Sequence, residues 1–354
     1  MTTNTMTTST LPATSFTLPP GHEATEPPER RGVTRDGVRL LVARPGQVEH
    51  RHFRDLAEFL EPGDLVVVNT SATLPAAFDA VRATGERVPV HLSTVLDDDT
   101  WVVEVRRRDG HGPDDRATRG QLLHLPGGVQ LDLIDAYPDA SATTSRLWRA
   151  DVTPPTDAAR YLSGHGRPIT YDYLRGQYSL ADYQTVYATE PGSAEMPSAG
   201  RPFTETLLVR LMARGVTVAP IILHAGVSSP EAHEPPLPER FHVPEVTARL
   251  VNSAHAAGKR VIAVGTTVVR ALESAATADG DAQPSRGWTS LVLGPDRAAR
   301  IVGGLVTGLH DPAASHLLLL EAIAGPDLIQ AAYEAAVDRG YLWHEFGDST
   351  LLLP

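Results

Sequence analysis

The sequence predicts an α/β protein: an α/β main domain with an inserted small antiparallel β-barrel domain. From Asp182 onward, apolar strand-like runs alternate with amphipathic helix patterns, several of which end at a glycine, and this texture is typical of α/β domains. Between about residues 74 and 152 the apolar segments are short, partly alternating and separated by Gly, Asp and Pro, which favours a small barrel or sandwich. A chain of 354 residues is long enough to hold both domains.

The predicted organisation has three parts. Residues 1–15 form a Thr/Ser-rich tail that we expect to be disordered, because it carries almost no apolar surface to bury. Residues 16–73 and 153–354 form the α/β main domain, and residues 74–152 form the inserted barrel.

The first elements follow from local patterns. RLLVAR (39–44) predicts a strand, Phe53 to Leu60 a short helix, and DLVVVN (64–69), after the Pro62-Gly63 turn, a buried strand. The barrel strands are predicted in VPVHLST, TWVVEV, QLLHL, GVQLDLI and RLWRADV.

The later elements alternate. The predicted helices lie in TETLLVRLMARG, PEVTARLVNSAHAAG, HLLLLEAIAG and DLIQAAYEAAVDRG, and the predicted strands in VTVAPIIL, RVIAVG, SLVLG and the segment after Gly347-Asp348.

Composition excludes several classes of function. The chain has no cysteine, which rules out disulfides, thiolate catalysis and cysteine-held metals and favours a cytoplasmic location. No apolar run reaches the length of a membrane span, the N-terminus does not resemble a secretory signal, and the histidines lack a compact metal-ligand spacing, so we expect neither a membrane nor a metal partner. The net charge of −12 argues mildly against broad nucleic-acid binding, although Arg30-Arg31 and Arg106-Arg107-Arg108 remain candidate basic sites.

The stretch GKRVIAVGTTVVRALESAA carries the most functional information. A buried strand runs into Gly265, Thr266 and Thr267, and a helix follows at once, with Thr267 as the predicted N-cap. Arg270 lies in the first turn, where the helix dipole disfavours a cation, and this indicates an acidic partner that is either a carboxylate or a bound anion. The alternative is an ordinary strand-to-helix turn in which Arg270 pairs loosely with Glu273.

Three other segments are candidates for a site. The Pro/Gly/Ser-rich loop from Tyr183 to Phe203 is either a binding loop or a connection between domains. In LHAG, His224 ends a strand at the edge where ligands of α/β sheets bind, although a structural histidine is the alternative. His310, before a later helix, could line a cleft or belong to a capped turn.

Taken in order, these segments resemble the S-adenosylmethionine:tRNA ribosyltransferase-isomerase family of queuosine biosynthesis. The matching blocks are YQTVYxxxPGSAxxPSAGxxF, LHxG, KRVIAVGTTVVRALES, TxxHxP and YxxxxxFGD, with RDGVRLLV and PGDLVVVN upstream. The resemblance implies an α/β fold with an inserted barrel. It also implies transfer and isomerisation of the ribosyl part of S-adenosylmethionine onto 7-aminomethyl-7-deazaguanine in tRNA, with S-adenosylmethionine as substrate and no cofactor.

The resemblance also implies site residues. It points to His224, His310 and Glu239 as acid/base groups. The residues that it implies for substrate binding are Tyr187, Pro197, Ser198, Ala199, Gly200, Gly226, Gly265, Thr266, Thr267 and Arg270.

The chain departs from the family pattern where arginines are expected, at Ala72 and Ala77, and this loss agrees in direction with the charge of −12. Two alternatives therefore stay open beside a tRNA-modifying enzyme. One is a divergent enzyme that uses S-adenosylmethionine or a nucleoside with a non-tRNA acceptor, and the other is a non-catalytic binding protein on the same scaffold. The oligomeric state is not indicated by the sequence.

Overall fold

A computed structural model describes residues 11–228, 236–312 and 314–354. The described part of the main domain is built on a nine-stranded sheet in the order β15-β13-β12-β3-β14-β16-β17-β1-β2. Its strands are β1 (Arg39–Arg44), β2 (Gln47–His52), β3 (Leu65–Asn69), β12 (Thr217–Leu223), β13 (Glu239–Val243), β14 (Val261–Val264), β15 (Ser285–Thr289), β16 (Gly304–Thr307) and β17 (Ser349–Leu352).

Six strands between the first and second parts of the main domain close into an antiparallel barrel, so the predicted fold class is confirmed. They are β5 (Ala77–Arg82), β6 (Arg87–Val95), β7 (Trp101–Val105), β8 (Leu122–His124), β9 (Gln130–Tyr137) and β10 (Leu147–Thr153). Two further strands, β4 (Ser71–Thr73) and β11 (Glu190–Ser193), pair in parallel as a separate two-stranded sheet. β4 directly precedes the first barrel strand in the sequence. The exact domain limits at residues 74 and 152 stay a prediction.

The helices are α1 (Ala158–His165), α2 (Glu205–Ala213), α3 (Glu245–Ala256), α4 (Thr266–Ser274), α5 (His316–Ala324) and α6 (Pro326–Asp338). Short 3₁₀ helices span Pro28–Arg31, Arg35–Gly37, Phe53–Phe59, Pro126–Gly128, Leu180–Tyr183 and Ser198–Gly200.

The period of two in the central strands explains why helices cover both faces of the sheet. In β3, Leu65 and Val67 pack in one core with residues of α3, α4, α5 and α6, whereas Val66 and Val68 pack in another with α2 and the 3₁₀ helix Phe53–Phe59. A third core fills the barrel and includes Trp101, and α1 packs against it.

Two local predictions are corrected by the structure. The segment SLVLG is not a strand, because β15 ends at Thr289 and the apolar residues after it line a cleft instead of a ladder. Residues 1–10 of the predicted tail lie outside the described residues. At its end, however, the N–H of Thr14 donates to Glu321 at 2.7 Å and Thr14 is only 3% exposed, so the predicted disorder does not reach residue 15.

Within the described ranges, no helix has the length and apolar character that crossing a bilayer requires.

Candidate active site

The candidate site lies at one edge of the large sheet, where four strands end. β12, β3, β14 and β16 run parallel, so their last residues, Leu223, Asn69, Val264 and Thr307, meet at the same edge. Ligands of α/β proteins bind at this edge because the loops and helix starts that follow the strands converge there.

Helix α4 begins at this edge with Thr266, and its N-cap is Gly265. The φ angle of Gly265 is 91°, a conformation that favours glycine, and a Cβ atom there would lie 3.4 Å from the Ala199 methyl. Prediction of Thr267 as the N-cap is therefore wrong. Its hydroxyl lies inside the first turn and accepts a 3.3 Å hydrogen bond from the Asn69 side chain.

Arg270 has a carboxylate partner on another element. Its Nη1 donates to Glu239 in a short ion pair, and its other nitrogens donate to the carbonyls of Leu291, Leu237 and Thr289 at 3.1–3.2 Å. Arg270 is 6% exposed, so these contacts occupy most of its guanidinium donors.

The alternative pairing of Arg270 with Glu273 does not occur. Glu273 is 1% exposed and accepts hydrogen bonds of 2.8–3.0 Å from the backbone N–H groups of Arg300, Ile301 and Val302. The Glu273 carboxylate therefore binds the backbone that leads into β16 and does not pair with Arg270.

Glu239 joins several predicted site residues. Burial raises the pKa of its carboxyl above the ordinary value, while the charge of Arg270 and a hydrogen bond from the Gly226 N–H oppose this shift. A Cβ at Gly226 would lie 2.7 Å from Ser93 Oγ, so only glycine lets this loop approach the barrel strand β6 and Glu239 together.

A cleft of about 480 Å³, partly open to solvent, lies in front of this ion pair. Glu239, Thr266, Thr267 and Arg270 line its polar side together with His316. The apolar wall is formed by Pro236, Leu291, Val292, Leu293 and Leu319. A polar end and an apolar wall suit a ligand that has both a charged part and a flat, weakly polar part.

His316 is a site residue that the sequence analysis missed. It begins α5, faces the cleft, and stacks on His310 with ring centroids 4.7 Å apart and an angle of 6°. Desolvation by the surrounding walls, with the charge of Arg270 adding to it, lowers the pKa of His316 to about 4 although part of the ring still meets solvent in the cleft. The sequence shows a histidine at the start of an apolar helix, but no local pattern indicates that this histidine faces the cleft in front of α4.

His310 lies behind His316 and does not line the cleft. Its Nε2 lies 3.0 Å from the Thr307 hydroxyl, and its backbone N–H donates to Tyr333 Oη. Burial, with His316 nearby, holds the pKa of His310 well below its ordinary value, so the ring is neutral at neutral pH.

His224 lies in a separate polar network that reaches the same helix start. Its Nδ1 is 2.7 Å from Ser71 Oγ, which is 2.7 Å from Ser193 Oγ. Asn69 links this network to Thr267 and to the backbone of Leu223. Burial, with Arg240 as a second cause, lowers the pKa of His224 to about 4.

In the segment from Pro197 to Gly200, Ala199 lies against Gly265 and Gly200 packs against the Tyr187 hydroxyl. Ser198–Gly200 is a 3₁₀ turn in which Ala199 is buried. A Cβ at Gly200 would lie 2.2 Å from the Tyr187 hydroxyl, and the Tyr187 ring packs edge-on against Phe203. Tyr187 therefore holds the turn, while Ala199 lies against Gly265 at the start of α4.

In each of the two candidate basic segments, one arginine binds a group of the protein and the others are exposed. Arg31 donates to the Phe346 carbonyl and Arg106 pairs with Glu104, whereas Arg30, Arg107 and Arg108 are exposed. No group of three or more metal-binding side chains occurs among the described residues.

Comparison with known proteins gives consistent matches along the chain. A family profile described as queuosine biosynthesis protein matches residues 11–352. An S-adenosylmethionine:tRNA ribosyltransferase-isomerase from Moorella thermoacetica is 36% identical over 362 residues, covering 96% of this chain and 98% of that protein. One of the same name from Thermotoga maritima is 33% identical and covers 96% of this chain and 98% of its own length.

A crystal structure of S-adenosylmethionine tRNA ribosyltransferase from Thermotoga maritima has the same architecture. It superposes with a TM-score of 0.53 at 30% sequence identity, covering 96% of this chain and 99% of the crystallised one.

Proposed function

Because the chain belongs to the S-adenosylmethionine:tRNA ribosyltransferase-isomerase family of queuosine biosynthesis, we propose that it is an enzyme with this activity. It transfers the ribosyl part of S-adenosylmethionine to 7-aminomethyl-7-deazaguanine in tRNA and rearranges it to the epoxycyclopentane of epoxyqueuosine, with release of adenine and methionine. S-adenosylmethionine is the substrate that supplies the ribosyl group, and no cofactor is required.

One observation carries the placement of the reaction. The motifs that are far apart in the sequence converge at the start of α4, where Glu239, Thr266, Thr267 and Arg270 line one cleft. Ala199 and Gly226 touch this group from neighbouring loops. We assign this cleft to S-adenosylmethionine.

The chemistry needs groups that move protons. The sulfonium acidifies the C5′ hydrogens of the ribose, so a base can remove one of them, and adenine leaves more easily when one of its nitrogens is protonated. Neutral imidazoles can accept a proton, and His224 and His316 both have a pKa of about 4. We propose His316 or His224 as the base, with His310 positioning His316 through ring stacking.

We assign Arg270 a positioning role because its donors are engaged by Glu239 and three carbonyls. It fixes the orientation of the Glu239 carboxylate, which faces the cleft beside the start of α4. The N-terminal N–H groups of that helix, at Thr266 and Thr267, are suited to a ligand carboxylate or to ribose hydroxyls.

The acceptor is proposed to be tRNA, and we therefore place the enzyme in the cytoplasm. A chain with a net charge of −12 must bind the phosphates locally, and the exposed residues Arg30, Arg107 and Arg108 are candidates for this contact.

Adenine release tests the proposal. The protein is incubated with S-adenosylmethionine and with tRNA that carries 7-aminomethyl-7-deazaguanine or unmodified guanine at the same position, and free adenine is quantified by chromatography. We expect adenine only with the aminomethyl-bearing tRNA. Release without that tRNA would instead support a different acceptor, and binding of S-adenosylmethionine without any release would support a non-catalytic protein.

A further inference from the structure

A second cavity lies next to the proposed S-adenosylmethionine cleft. Its empty volume is about 250 Å³ and is partly open to solvent, and two carboxylic acids, Glu195 and Glu345, line it together with Tyr171, Tyr183 and Thr73. Neither acid is among the residues that the sequence analysis selected. We refer to it as the acidic pocket.

Within the described ranges, the two acids of the acidic pocket lack a cationic partner. Glu195 accepts hydrogen bonds from Tyr171 Oη, from the Ser228 hydroxyl and, at 2.7 Å, from the Ser228 N–H, while Glu345 accepts one from Tyr173 Oη. Across residues 11–228, 236–312 and 314–354, neither carboxylate forms an ion pair with Arg, Lys or His. Both carboxylates are half-buried, and desolvation raises the pKa of each. Desolvated carboxylates without a counter-charge are costly, so this arrangement favours an incoming cation.

An unpartnered hydroxyl points to the same conclusion independently. Tyr183 is 3% exposed and lines the pocket, and its Oη makes no hydrogen bond of standard geometry within the described residues, although the Thr170 side chain is close enough to affect its pKa. Burial, together with the nearby Glu345 carboxylate, raises the pKa of Tyr183 to about 12, so its hydroxyl stays protonated and its oxygen can accept a hydrogen bond. A buried hydroxyl without a partner loses the hydrogen bond that water gives it in the unfolded chain, and a ligand in this pocket can restore that bond.

The position of the pocket connects it to the reaction. Thr73 and Ser71 are two residues apart on β4, which places them on one face of the strand roughly 7 Å apart. Ser71 contacts His224, and the charge of Glu195 contributes to the raised pKa of Glu239. The acidic pocket is therefore a neighbour of both the His224 network and the cleft.

We propose that the acidic pocket binds the protonated primary amine of the acceptor base, with Glu195 and Glu345 as its counter-charges and Tyr183 as a further hydrogen-bond acceptor. Before its nitrogen can form the bond to the ribosyl group, the ammonium gives one proton to either carboxylate and becomes a neutral amine with a free lone pair. This inference rests on the proposed function, because it identifies the acceptor group through that reaction. A primary ammonium has three N–H donors, which match the two carboxylates and one hydroxyl.

The pocket also explains selectivity between bases. Tyr171, Tyr173 and His344 form a continuous stack, with centroid distances of 5.9 and 4.3 Å and angles of 14° and 16°. This stack fixes the tyrosine hydroxyls that orient both carboxylates. A base with a neutral substituent in place of the amine would leave both carboxylates without a counter-charge. We therefore expect the protein to bind such a base much more weakly.

The test compares binding of two free bases by calorimetry, 7-aminomethyl-7-deazaguanine and 7-methyl-7-deazaguanine, in the presence of S-adenosylmethionine. We expect the wild-type protein to prefer the amine by about 10- to 100-fold, the range for hydrogen bonds to charged groups. Glu195→Gln and Glu345→Gln should each remove most of this preference. The matched control Glu58→Gln changes an exposed acid whose side chain is 57% exposed, and it should keep the preference.

The outcomes separate the pocket from the reaction. Equal binding of the two bases by the wild-type protein, or an undiminished preference in both variants, would overturn the assignment of the pocket even if adenine is released normally. Absence of adenine release with the amine preference intact would overturn the proposed reaction and leave the pocket assignment standing. Affinity for S-adenosylmethionine and the melting temperature of each variant show whether it has folded. A third variant, Tyr183→Phe, should weaken amine binding by less than either acid variant does.

Discussion

At the scale of single residues, the candidate site is organised by groups whose hydrogen bonds are nearly all made within the protein. Arg270 is the main example: with the N-cap at Gly265 it is the fifth residue of α4, beyond the first turn that the sequence predicts for it. Glu239 and three backbone carbonyls bind its guanidinium, and a buried ion pair with such additional hydrogen bonds compensates the desolvation of both charges. The residue therefore shapes the cleft and stabilises the fold at the same time.

Arg270→Ala should lower the free energy of unfolding by about 3–5 kcal/mol, because it leaves the Glu239 carboxylate buried without its partner. Urea denaturation measures this loss. Arg249→Ala removes an ion pair with Glu245 in which both side chains are at least 70% exposed, and it should cost under about 1 kcal/mol. Equal losses in the two variants would contradict the structural role of Arg270.

A second residue-scale prediction concerns Gly192, which lies against the His224 ring. A Cβ there would be 2.4 Å from His224 Nδ1, closer than atoms can pack, so Gly192→Ala should displace the ring from Ser71. We expect adenine release to fall about 10- to 100-fold through lost positioning. Gly164→Ala, whose Cβ meets no atom within 4 Å, is the control and should retain full activity.

At the scale of elements, the site depends on the ends of parallel strands being held in register. Asn69, the last residue of β3, is 1% exposed and bonds to both the N–H and the C=O of Leu223, the last residue of β12. It also binds the Ser71 N–H and the Thr267 hydroxyl. One side chain thus ties two strand ends, the ladder strand β4 and helix α4 together.

Asn69→Ala should destabilise the protein by about 2–4 kcal/mol, because it leaves buried backbone groups of Leu223 unpaired at about 1–3 kcal/mol each. We expect the affinity for S-adenosylmethionine to fall as well, since the start of α4 loses its anchor. Denaturant titration and calorimetry measure the two effects. Gln47→Ala, on the exposed edge strand β2, is the control, and a normal affinity in Asn69→Ala would separate Asn69 from the ligand cleft.

At the scale of the whole molecule, burial of ionisable groups near one sheet edge links stability to pH. The pKa of His224 falls from 6.5 to about 4 on folding, mainly because the ring is desolvated. Between these two values the unfolded chain binds a proton that the folded protein does not. Stability contributed by His224 is therefore complete above pH 6.5 and is lost as the pH falls toward 4.

His224→Gln should flatten this pH dependence. The variant is expected to lose more stability relative to the wild type at pH 8 than at pH 5, since only the wild type gains a destabilising protonation on acidification. Thermal denaturation at both pH values measures the difference. A stability gap that stays constant with pH would show that His224 does not contribute to the acid sensitivity.

Much of the element pattern followed from local sequence rules. The helix from Glu205 to Ala213 and the strand β3 were predictable because apolar periodicity, caps and glycine stops act over a few residues. The prediction of a strand in SLVLG was wrong, because a short apolar run also occurs in a segment that lines a cleft. The Thr267 hydroxyl predicts an N-cap at that residue because it can accept a bond from a backbone N–H of the first turn, whereas the helix begins at Thr266 and only the backbone angles of Gly265 identify the cap.

Patterns and motifs carried by contiguous residues are enough to predict the fold class, the family and the segment at which the site is built. The folded chain is needed to show that Arg270 pairs with Glu239, that His316 faces the cleft with His310 behind it, and that Glu195 and Glu345 share a second pocket. The physical reason is that these contacts join residues far apart in the chain. Their geometry is set by how the sheet brings strand ends and helix starts together, and no local pattern encodes it.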